Sequence, residues 1–139
     1  MKQIGLACVL VLGLILPGCG GNSSPKINGT WFATLTNSDG TTNATFAAAF
    51  TEGSGGNLTI TNFSFMTLDP CIGSQNVTES GTFTGTTGNF TMTIFGPGPE
   101  PPVLGLQGTL SNGTITGAWT RSICPGNGTL TIKPVMQGG

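Results

Sequence analysis

From residue 29 onward the chain alternates apolar and hydroxyl-bearing positions with a period of two. In residues 29–37, Trp31, Ala33 and Leu35 share one face while Phe32, Thr34 and Thr36 share the other, the spacing of a half-buried strand. Residues 42–51 repeat the pattern with Ala44, Phe46, Ala48 and Phe50 on one side, and the intervening Asn37-Ser38-Asp39-Gly40 has hairpin-turn chemistry. A third run carries Leu58, Ile60, Phe63 and Phe65. The change of parity between Ile60 and Phe63 predicts a bulge, or a strand that changes face. Further strands are predicted over residues 77–85, 89–95, 103–110, 114–120 and 129–133, and Asn112-Gly113 is the strongest short hairpin signal in the chain. Residues 96–102, GPGPEPP, lack the amide donors of a ladder and read as an extended loop.

Eight hairpin-linked strands and no helix predict an all-β domain over residues 28–135, with 136–139 as a loose tail. Up-and-down barrel closure removes the edges that a small sheet leaves exposed, so a small antiparallel barrel of about eight strands is expected. A two-sheet sandwich is the alternative. The large apolar side chains, Trp31, Phe46, Phe50, Phe63, Phe65, Phe90 and Trp119, fall where they either fill a solid core or line a cup for a small apolar ligand.

The segment before this domain has a different pattern. Lys2 precedes residues 4–16, an aliphatic run of thirteen against the roughly twenty that span a bilayer as a helix. This is the pattern of a signal peptide over residues 1–18. It ends in Leu16-Pro17-Gly18-Cys19, which resembles the lipobox of bacterial lipoproteins. That resemblance implies cleavage after Gly18, a diacylglycerol on the Cys19 thiol and a further acyl chain, such as palmitate, on the new amino terminus. Two or more chains anchor stably where one binds marginally, at roughly 0.8 kcal/mol per buried methylene. Residues 19–27 then form a flexible tether. Gly20 stands where an aspartate would favour inner-membrane retention, which points to the outer membrane, on its periplasmic or surface face, in a cell that has one.

Composition narrows the function. The chain holds 24 Gly and 9 Pro, yet Thr, Val, Ile and Phe are plentiful, which sets it apart from disordered segments. After the signal, Lys26, Arg121 and Lys133 stand against Asp39, Glu52, Asp69, Glu79 and Glu100, a net charge near −2. So few cations do not make a phosphate-binding face, and nucleic acid is not an expected partner. With no histidine and the five carboxylates scattered, neither a triad nor an acid pair is legible, and no enzymatic role, metal or cofactor is expected. The Asn-x-Thr/Ser triplets are accounted for by turns and strands.

Four cysteines resolve cleanly. On the lipobox resemblance Cys8 is expected to leave with the signal and Cys19 to carry the lipid, which leaves Cys71 and Cys124 to pair in an oxidising compartment. Gly29-Thr30-Trp31 at the head of the first strand resembles the G-x-W start of calycins, the lipocalin and avidin group. That likeness implies a ligand-binding barrel and casts Arg121 as the arginine that packs over the first tryptophan; the several binding tryptophans of avidins are not met by Trp31 and Trp119 alone. The expected role is therefore a lipid-anchored envelope protein with a structural or interaction function, partnered by an envelope protein. The alternative is a carrier of a small apolar ligand, and below it stands a hydrolase, which needs folding to bring two of the five carboxylates within about 5–10 Å.

Overall fold

The computed structural model describes residues 26–72, 76–96 and 102–136. Its strands are β1 (Gly29–Asn37), β2 (Thr42–Glu52), β3 (Asn57–Thr67), β4 (Thr78–Thr84), β5 (Asn89–Phe95), β6 (Pro102–Ser111), β7 (Thr114–Arg121) and β8 (Gly126–Pro134). Each pairs antiparallel with the next, and β8 returns to pair with β1 from Trp31↔Pro134 to Asn37↔Gly128. The molecule is thus a closed up-and-down barrel, not a sandwich. The described residues hold no α-helix, only a 3-10 turn at Ser54–Gly56.

Period-two alternation becomes an apolar inside and a hydroxyl outside. Ala33, Leu35, Phe46, Phe50, Phe90, Met92, Ile94, Leu106, Ile115, Trp119, Leu130 and Ile132 are all buried in one cluster. On the outer face the register aligns Thr45, Thr34, Thr131, Thr116 and Thr109 across five consecutive strands. Below them Thr82 and Thr91 share a hydroxyl–hydroxyl bond of 2.6 Å. β-Branched cross-strand pairs stabilise a pleated surface by a few tenths of a kcal/mol each. A membrane-spanning barrel has the reverse polarity, with its apolar band outward.

The parity break in β3 is two bulges. Ala47 pairs with Ser64 and Ala49 with Thr61, so β3 has one residue more than β2 in that interval, and Asn62 takes a left-handed φ of 53° there. A second extra residue, Met66, lies between the pairs Phe46↔Phe65 and Thr45↔Thr67. Without the first bulge a period-two strand would turn Phe63 and Phe65 outward after Ile60; with it, both return to the interior side.

β8 begins three residues before the predicted 129. Gly126-Asn127-Gly128 has turn composition, yet Gly128 pairs with Trp119. A Cβ at Gly128 would overlap the Thr36 carbonyl and crowd the indole of Trp119, whose Nε1 donates to that same carbonyl at 3.0 Å. The glycine is required by close approach within the strand, not by a turn.

The chain enters at one end, here the base, together with the β2–β3, β4–β5 and β6–β7 turns. Ile27, expected in the tether, is fully buried and plugs this end. Its carbonyl accepts from Trp31 Nε1 at 2.6 Å and its amide donates to Glu52 Oε1 at 3.1 Å. Ile27 thus packs as part of the barrel. The opposite end, the cap end, carries the β1–β2, β3–β4, β5–β6 and β7–β8 connections.

Candidate functional site

The cap end is closed by residues that the sequence left in loops. After β3, residues 68–72 fold inward so that Asp69 and Ile72 are buried. The Asp69 carboxylate collects four donors. Oδ1 accepts from the amides of Cys71 at 2.8 Å and Ile72 at 3.2 Å, and Oδ2 accepts from Asn43 Nδ2 at 2.5 Å and Arg121 Nη1 at 2.7 Å. A buried carboxylate is tolerated only when paired and hydrogen-bonded, and here it is both.

Arg121, at the end of β7, is shared among several acceptors. Its Nη1 also reaches Asn43 Oδ1 at 3.3 Å, and its Nε donates to the carbonyls of Cys124 at 2.8 Å and Ile123 at 3.1 Å. Its guanidinium carbon stands 5.5 Å from the centre of the Trp119 ring. The expected packing over Trp31 is not found. Trp31 sits at the base end of β1 opposite Pro134, whereas Arg121 pairs with Gly126 at the cap end of the same strand β8. The Cys71–Cys124 disulfide joins the two loops beside this ion pair, with Cα atoms 6.2 Å apart.

Between β3 and β4 the barrel wall is incomplete. Their ladder consists of Asn57↔Thr82 and Leu58↔Gly81, although β3 continues to Thr67 and β4 begins at Thr78. Bulges bend the strand that contains them and increase its twist, and the two in β3 carry it away from β4. Beside this gap, here called the slot, Ile60, Phe63 and Phe65 of β3 and Val77 just before β4 are partly buried against the core. Phe46, Phe63 and Phe65 form an aromatic cluster with centroids 4.9–6.2 Å apart. Met66 and Leu68 at its rim are 64% and 49% exposed. Glu79 faces the same side of β4 as Gly81 and buried Phe83, and burial pushes its carboxyl above the ordinary value.

The seven candidate cup residues thus divide. Trp31, Phe46, Phe50, Phe90 and Trp119 are buried in the continuous core. Phe63 and Phe65 alone retain partial exposure, through the slot. Two shallow depressions of about 490 and 320 Å³ lie on the outer face of β5–β7, over Thr91, Gln107, Thr116 and Ala118, and one of about 420 Å³ lies at the base between Glu52 and Phe83.

The carboxylates occupy separate places. Asp39 is in the β1–β2 turn, where the Thr41 hydroxyl at 2.6 Å holds it below its ordinary value; Glu52 is at the base, Asp69 in the cap and Glu79 on the slot. Glu100 and Cys19 lie outside the described residues. Among those residues no three metal-ligating side chains cluster. Comparison with family models, curated proteins and solved structures returned no match.

Sequence reasoning missed the Asp69–Arg121–Asn43 cluster and the slot. Asp69 beside Pro70-Cys71 was a usable signal, since a bridged cysteine ties its neighbours to a fixed place. Nothing local marked Arg121 and Asn43 as its partners, because they stand 52 and 26 residues away from it in the chain.

Proposed function

We propose that this chain is a lipid-anchored, non-catalytic interaction module of a bacterial cell envelope, held on the outer membrane through acyl chains on Cys19. The observation that carries the reading is a barrel interior filled by its own side chains and plugged at both ends, by Ile27 and by Asp69 with Ile72. A filled interior leaves the outer surface to do the work. The disulfide supports an oxidising, extracytoplasmic setting. The entry of the chain at the base supports an orientation with the base toward the bilayer and the cap end away from it.

The carrier reading keeps one supporting observation. An eight-stranded up-and-down barrel is compatible with calycin-like ligand binding, and Phe63 and Phe65 are open to solvent through the slot. A carrier would need to hold its ligand there and not in the barrel lumen.

Two measurements test the module. Cells grown with radiolabelled palmitate are expected to yield a labelled product, and Cys19→Ala is expected to move the protein from the membrane to the soluble fraction; an unlabelled parent overturns the anchor. Fluorescent apolar dyes are expected to show no saturable uptake by the purified protein. Stoichiometric, displaceable dye binding would favour the carrier instead.

A further inference from the structure

The wall of a closed barrel normally leaves no backbone unpaired, and the slot breaks that rule on both sides. The β4-facing edge of β3 over residues 60–67, and the first residues of β4, have no ladder partner among the described residues. Edges of this kind are usually protected by lysine, proline, an inward charge or a bulge. β3, NLTITNFSFMT, contains no charged residue and no proline. Its two bulges bend it away from β4 but leave Phe63–Phe65 extended on the far side of the gap.

Glu79 adds a specific requirement. It is the one carboxylate on the interior side of the described strands near the slot, and among the described residues it forms no ion pair or hydrogen bond. The cations of the domain are committed elsewhere. Arg121 is held by Asp69, and Lys26 and Lys133 stand at the base. Partial burial without a counterion disfavours the charged carboxylate and pushes its titration upward. The slot therefore offers unpaired backbone, aromatic and aliphatic walls, and one uncompensated negative charge.

We propose that the slot between β3 and β4 binds an extended segment of a partner protein, which adds a strand to β3, sets apolar residues against Phe63 and Phe65, and places a lysine or arginine on Glu79. Unpaired strand edges accept peptides through main-chain bonds, while pockets for alternate side chains give specificity. Eight open residues span roughly 26 Å, enough for a strand of six or seven. Charge complementarity selects a basic partner, and a second copy of β3 is uncharged and supplies no cation. The inference rests on the interaction-module reading and specifies the kind of partner.

The test uses the mature protein in detergent micelles and the synthetic hexapeptide Val-Thr-Val-Thr-Lys-Thr with blocked termini, which puts both valines and the lysine on one face of the added strand. Saturable binding is expected, with slowed amide exchange over residues 60–67. Replacing the peptide lysine by glutamate, or making Glu79→Gln in the protein, is expected to weaken binding by about three- to tenfold. Methylating the peptide nitrogens that face β3 is expected to abolish it. Equal affinity for the lysine and glutamate peptides, protection elsewhere on the barrel, or no binding overturns the proposal. So does competition by dodecylamine with no strand protection, which would make the slot a small-molecule site. If palmitate labelling fails while the peptide binds, the anchor falls and the slot stands; the converse result leaves the anchored module and removes the slot.

Discussion

Asp69 shows how much one side chain can organise. Its two oxygens bind the β3–β4 loop amides, Asn43 on β2 and Arg121 on β7, so a single carboxylate ties three parts of the cap together. Removing one partner of a buried pair leaves the other charge uncompensated, at about 3–5 kcal/mol. Asp69→Asn is expected to lower the urea-unfolding free energy by that order. Asp69→Leu combined with Arg121→Met should cost less than the sum of the two single changes. Glu79 behaves oppositely. Its carboxyl is raised above the ordinary 4.5 by burial, so the stability it contributes is full below 4.5 and is lost as pH rises through the folded-state value. Glu79→Gln is accordingly expected to raise the urea midpoint at pH 7 and to leave it nearly unchanged at pH 4.

At the scale of elements, the disulfide and the bulges have complementary effects. The bulges in β3 open the wall, and the Cys71–Cys124 bridge fixes the loop that leaves β3 against the one that follows β7. Closing a loop of about 54 residues is worth about 4 kcal/mol in the chain-entropy account. The double variant Cys71→Ser, Cys124→Ser is expected to lose stability of that order. It should also become susceptible to protease at residues 68–72, which the parent resists until it unfolds. The strands themselves were legible. Trp31, Ala33 and Leu35 on β1, and Ala44, Phe46, Ala48 and Phe50 on β2, lie inward as their alternation requires, and the Ile60–Phe63 parity break marked a real bulge. β8 was read short because Gly126 and Gly128 look like turn residues until the position of the Trp119 indole is known.

At the scale of the molecule, pairing of each strand with the next from β1 round to β8, short only between β3 and β4, and one interior cluster make a single cooperative unit. Urea transitions followed by far-ultraviolet circular dichroism and by tryptophan fluorescence are expected to coincide, because Trp31 near the base and Trp119 toward the cap belong to the same core. Separate midpoints would instead divide the barrel into independently unfolding parts. The near absence of charge on the outside follows from the same construction. Aligned threonines hydrate the surface and pack across strands, a role that charged side chains fill in most domains.

The sequence alone determined the eight alternating runs, their inward and outward faces, the pairable cysteines and the features that resemble a lipoprotein leader. These depend on residues two apart along a strand or adjacent in a turn, and short-range periodicity records them. Whether the sheet closed, where β3 and β4 part, which cation meets Asp69 and which carboxylate remains without one were decided only by the tertiary structure. Each depends on the cumulative bend of several strands and on contacts between residues dozens of positions apart, which local spacing does not encode.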